Sequence, residues 1–206
     1  MFWSVIWGVV IILLLLSGLF NVITWQVNIY LILAVVFAWV ISIYNSLVRM
    51  RVRAREAISD IDVQLKRRYD LIPNLVEAVK GYMAHERGVL ESVTQARAAV
   101  SGGGDPLERA EKENILSSTL KTLFAVAENY PDLKANANFL DLQRELADTE
   151  NKVQASRRFY NGTVRDLNTA IQTLPTNLVA RLLKFKEMKF FEVENEGEKE
   201  PIKVSF

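Results

Sequence analysis

Few residues in this 206-residue chain are of the types that do chemistry, and their spacing disperses them. There is one histidine, His85, and no cysteine. A single imidazole without thiols supplies no standard zinc set, no disulfide and no thiolate metal site, which fits a reducing compartment. Glu86 follows His85 directly, so on a helix the two side chains point to different sides. Asp60 and Asp62 are the carboxylates best spaced for Mg²⁺ or Ca²⁺, yet at i, i+2 on a helix they do not face each other. Gly102 to Gly104 is followed by Asp105-Pro106 rather than Lys-Ser/Thr, and no strand precedes it, so it is not a phosphate loop. Asn161-Gly162-Thr163 has the spacing of a glycosylation acceptor but lies inside a helical pattern. The serines have no spaced His and Asp partners. One polar constellation remains: Thr149, Ser156, Tyr160 and Thr163 on a helical seam, with Glu86 near the same phase. It reads as a hydrogen-bonded layer that fixes helix register at some cost in stability, in preference to a ligand pocket. The residues point to no catalytic site, no cofactor and no metal.

The elements that carry these residues divide sharply by charge. The first 48 residues contain no Asp, Glu, Lys or Arg, and Arg49, Arg51, Arg53 and Arg55 follow at once. A charge-free stretch of this length is a membrane anchor, and a basic cluster at its end marks the cytoplasmic side. Two apolar stretches, Phe2 to Phe20 and Ile29 to Tyr44, each approach the length that spans a bilayer, with the polar segment Asn21 to Asn28 between them. The first lacks a positive n-region, which disfavours a signal peptide. The expectation is a multi-pass anchor over 1–48, a helical hairpin with both ends cytoplasmic, with a single span plus an interfacial N-terminal helix as the alternative.

Beyond it lie all 25 basic and 24 acidic residues. That near-neutral balance disfavours nucleic acid as a partner. Breaks at Tyr69 to Pro73, Ser101 to Pro106 and Tyr130 to Asp132 separate four helical patterns, roughly 45–69, 71–100, 106–129 and 133–173. With short connections these predict an all-α, antiparallel four-helix bundle over 49–174. Lys66-Arg67-Arg68 then reads as favourable charge at the end of the first helix. In 175–206, Arg181, Lys184, Lys186 and Lys189 alternate with Phe185, Phe190 and Phe191. That mixture suits a membrane surface, with a strap docked on the bundle as the equal rival. The Glu192 to Glu200 stretch reads as a mobile acidic tail.

Several segments resemble the LemA family: Ser59 to Val76, Val79-Lys-Gly-Tyr-Met-Ala-His-Glu86, Leu123 to Phe139 and Arg157-Arg-Phe-Tyr-Asn161. The resemblance implies a helical domain anchored in the bacterial inner membrane and facing the cytoplasm, without known catalytic residues. It also implies links to membrane organisation, as in magnetosome formation, or to membrane proteases of the HtpX type. The function expected is a non-enzymatic scaffold that self-associates on the lipid bilayer. The alternative is an adaptor or regulator of another membrane protein such as an HtpX-type protease.

Overall fold

The structure is a computed structural model that describes residues 25–101 and 110–191, together with Ile12 and Leu16. Every regular element among the described residues is helical: α1 (Trp25–Lys80), α2 (Arg87–Ser101), α3 (Ala110–Ala127), α4 (Pro131–Lys134), α5 (Ala137–Gln172) and α6 (Thr176–Leu182). The all-α class therefore holds. The first apolar stretch of the expected hairpin, apart from Ile12 and Leu16, lies outside the described residues, as do Asp105, Pro106 and the acidic tail. Among the described residues one helix, α1, is long and apolar enough to cross a membrane, and only 6% of its apolar stretch is buried. That low burial distinguishes it from the core helix of a soluble domain. It begins at Trp25, so the end of the polar segment 21–28 is helical.

The break expected at Tyr69 to Pro73 does not occur. Helix α1 passes through Pro73 and ends only at Lys80. Proline has no N–H, so the carbonyl four residues earlier, that of Tyr69, loses its donor within the helix. Arg97 of α2 supplies one: its Nε donates to the Tyr69 carbonyl at 3.0 Å. The chain reverses instead over Gly81 to Glu86, where the amides of Tyr82 and Met83 both donate to the Val79 carbonyl. Met83 is fully buried and ties this reversal to the core. Two later breaks fall where proline places them. Pro131 opens α4 at its first turn, and α5 stops at Gln172 before Pro175.

By its contacts the chain forms two compact units, with limits different from 1–48, 49–174 and 175–206. The anchor unit comprises Met1–Val52 and Asp166–Met188; the body unit comprises Arg53–Arg165 and Lys189–Phe206. In the body unit, α1 buries Ala54, Ala57, Ile61, Leu65, Ile72, Leu75 and Val79, at the three- and four-residue steps of one helix face. Val93, Ala96 and Val100 of α2, Leu116, Leu120 and Leu123 of α3, and Leu146, Val153, Tyr160 and Val164 of α5 complete its core. Helices α1 and α5 run antiparallel there. Arg67 pairs with Glu145 at 3.7 Å, and further along α1 Asn74 and Ala78 share a groove with Asn138 and Leu142, earlier in α5.

In the anchor unit, Leu47 of α1, Leu167 of α5 and Ala180 of α6 form a buried apolar cluster, with Ile43, Ile171, Phe185 and Met188 packed around it. Helix α6 closes with a Schellman cap: the Phe185 amide donates to the Ala180 carbonyl at 2.9 Å and the Lys184 amide to Arg181 at 3.2 Å. This cap requires a left-handed residue, and Lys184 takes that conformation with φ 56°.

Candidate functional site

The anchor unit holds most of the basic and aromatic tail residues. Phe185 is half-buried, its ring edge-on to Tyr44 with centroids 6.1 Å apart. Behind it, Asn168 of α5 clamps the backbone of Met188 with both side-chain atoms, Nδ2 to the carbonyl at 2.9 Å and Oδ1 from the amide at 3.0 Å. Arg181, Lys184 and Lys186 are exposed, as are Arg49 and Arg51. Arg49, Arg51, Arg53 and Arg55 stand two residues apart on α1, a spacing that spreads them over more than one helix face.

In the body unit the segment 189–191 is held by α5. Asn161 repeats the clamp on Phe191, Oδ1 accepting from its amide at 2.7 Å and Nδ2 donating to its carbonyl at 3.0 Å. Tyr160 Oη donates to the Lys189 carbonyl at 2.7 Å. The Phe191 ring is buried under the Arg157 guanidinium, 4.5 Å from the centroid. Phe191 is therefore a strap residue. Phe190 and the Lys189 side chain stay exposed. Spacing along α5 does not reveal this clamp, because the backbone that Asn161 holds lies 30 residues further along the chain.

The interior of the body unit carries a charge layer drawn from three helices. Arg68 of α1 is 2% exposed, Glu113 of α3 0% and Arg157 of α5 3%. Arg68 Nη1 lies 2.8 Å from Glu150 Oε2, and Nη2 donates to Ser117 Oγ at 3.0 Å. Gln154 Nε2 donates to the other Glu150 oxygen at 3.0 Å. Burial opposes ionisation of Glu150, but Arg68 and these hydrogen bonds outweigh it and hold its carboxyl below the usual range. Glu113 is the opposite case. Neither of its carboxyl oxygens has a hydrogen-bond partner. Burial pushes its pKa up to about 7 against the pull of Arg68 and Arg157. Burial likewise lowers both guanidinium pKa values.

The polar residues expected on the seam are not brought together as one group. Thr149 is buried but donates to Leu146 of its own helix, and Thr163 donates to Tyr160. Ser156 and Thr163 are only half-buried. Glu86 sits at the reversal after α1 and accepts from Tyr130 Oη at 3.1 Å, while Tyr82 accepts from Asn136 at 3.2 Å. The expected seam kept strict three-four steps through Ser156, Tyr160 and Thr163. An α-helix of 3.6 residues per turn drifts about 20° per heptad from that pattern. The buried face accordingly steps from Val153 to Arg157, Tyr160 and Val164. A helix-end role for Arg68 requires a break after it. With α1 continuous, its place between Leu65 and Ile72 puts it in the core. Among the described residues no three His, Cys, Asp or Glu side chains stand so as to hold a metal ion. This layer can fix helix register and exchange one proton.

Comparison with known proteins supplies relatives. The LemA family model matches residues 57–206. Protein LemA of Metamycoplasma hominis is 30% identical, over 72% of this chain and 68% of its own length. Magnetosome protein MamQ of Magnetospirillum gryphiswaldense is 22% identical, over 75% of this chain and 66% of its own. Magnetosome protein MamQ 2 of Paramagnetospirillum magneticum is 24% identical with the same coverage. The chain thus spans about two thirds of the length of these relatives.

Proposed function

The chain belongs to the LemA family, and from that premise we propose that it is a non-enzymatic scaffold, anchored in the bacterial inner membrane, that self-associates to organise or shape the bilayer. In this reading α1, α2, α3 and α5 are the antiparallel four-helix bundle, and it faces the cytoplasm. The observation that carries the proposal is the course of α1. One unbroken helix, Trp25–Lys80, supplies both the membrane-crossing stretch and a full face of the body core. The apolar stretch and the body core therefore belong to one continuous helix. The stretch itself exposes Trp25, Tyr30, Leu33 and Phe37, apolar surface for lipid or for the anchor of another copy. The magnetosome names of two relatives support an organising role.

Mass photometry of the full chain in mild detergent tests self-association, which predicts assemblies that grow with concentration. Monomers throughout, with a different protein co-purifying in fixed ratio, would move the reading to an adaptor of another membrane protein. Orientation is tested in intact cells. Ser118→Cys should stay unlabelled by an impermeant thiol reagent, as the arginines after the span predict.

A further inference from the structure

We propose that α6 and the turn before it form a lipid-facing foot, with Leu174, Leu178 and Leu182 entering the bilayer interface beside the emerging end of α1. These leucines are 74%, 61% and 76% exposed. Leu178 and Leu182 stand four apart and share one side of α6. The other side, Val179 and Ala180, is already buried in the anchor unit. Helix α6 is thus apolar on both sides, one packed on its own chain and one uncovered.

What covers the second side follows from its level along α1. Phe185, three residues after Leu182, packs its ring on Tyr44, and Ala180 packs with Leu47. Both contacts fall before Arg49, inside the uncharged part of α1. At about 1.5 Å per residue, Tyr44 lies about 7 Å along the helix from the first arginine, within the interfacial layer of a bilayer. The polar residues around the leucines suit that layer. Arg181, Lys184 and Lys186 are exposed beside them, where anionic headgroups attract cations. Glu187, the one acid between Leu174 and Lys189, accepts from Gln172 Nε2 at 3.0 Å. The inserting residues are therefore leucines, while Phe185 and Phe191 serve as internal packing.

The proposal rests on α1 crossing the membrane, and the experiment separates the two. The chain has no cysteine, so Leu174→Cys, Leu178→Cys and Leu182→Cys can each carry one environment-sensitive dye. The full chain is reconstituted into vesicles of phosphatidylcholine and phosphatidylglycerol, with and without doxyl-labelled acyl chains. Phe37→Cys on the exposed face of α1 and Lys121→Cys on the exposed face of α3 are the references. Dyes at all three leucine positions should be blue-shifted and quenched several-fold more than at Lys121. Quenching equal to Lys121, while Phe37 is strongly quenched, overturns the foot alone. Absence of quenching at Phe37 as well overturns the membrane-spanning reading beneath it. A blue shift without doxyl quenching would mean that protein covers the leucines, either residues 2–20 or a second copy, and also overturns the foot.

Discussion

Arg97 Nε donates to the backbone carbonyl of Tyr69, 28 residues earlier in the chain. That carbonyl is the one that Pro73 leaves without a helical donor. The bond lets α1 continue through a proline that should have ended it, and it ties α2 to α1 at the same point. Removing the guanidinium with Arg97→Met should destabilise the chain by about 1–2 kcal/mol, the range for a charged hydrogen bond at a half-exposed site. Pro73→Ala restores the N–H. Urea unfolding of both single variants and the double variant should show that Arg97→Met is less harmful when residue 73 is alanine. Simple additivity would mean that the bond does not serve the proline.

Glu113 predicts a pH dependence with a definite sign. Its folded pKa, about 7, lies above the ordinary value of 4.5. Between those values the folded state holds a proton that the unfolded state has released, so rising pH draws the equilibrium towards unfolding. The penalty is absent below 4.5, grows through the interval and is complete above 7, on the order of 3 kcal/mol. Glu150 acts below its ordinary value and leaves this window untouched. Unfolding midpoints of the full chain at pH 5 and pH 8 should differ by this effect, and Glu113→Gln should flatten the difference. Parallel curves for the two proteins would count against it.

The charge layer and the surface should respond very differently to loss of one partner. Arg68→Met strands the carboxylate of Glu150 in a mostly buried place and should cost about 3 kcal/mol. Lys152 and Asp148 pair at 2.7 Å, but both are about half exposed. Lys152→Met should change stability by at most about 0.5 kcal/mol. Chemical denaturation of both variants in one detergent makes the comparison.

The Asn161 clamp should govern access to the strap. Asn161→Ala removes two hydrogen bonds to Phe191, a loss of about 1–2 kcal/mol, or roughly tenfold in the opening equilibrium. Trypsin should then cut after Lys189 about tenfold faster under limiting conditions. Unchanged cleavage would show that Phe191 under Arg157 holds the strap without the asparagine.

Lys184 occupies a left-handed position that favours glycine, at φ 56°. Lys184→Gly should stabilise the chain by about 1 kcal/mol by relieving that conformation. Lys186→Gly, outside the cap, should give no such gain. Thermal unfolding of the two variants distinguishes conformation from charge.

Sequence alone settled the features that depend on composition and on local backbone chemistry. The uncharged stretch before Arg49 marks the helix that is long and apolar enough to cross a membrane, because a run without charge is legible without knowing its neighbours. Helical periodicity settled the all-α class, and Pro131 and Pro175 marked breaks that local sterics enforce. Tertiary contact decided the rest. Pro73 breaks a helix unless another element feeds the orphaned carbonyl, and nothing near Pro73 in the chain announces Arg97. Arg68 reads as helix-end charge from its spacing alone, and only the packing of α1, α3 and α5 buries it together with Glu113. The α5 seam passes through Arg157 rather than Ser156 because 3.6 residues per turn accumulates drift that a three-four count ignores. Phe191 and Leu182 looked alike as apolar residues among lysines. Only packing separated them: the clamp of Asn161 buries the first, and α6 turns the second outward.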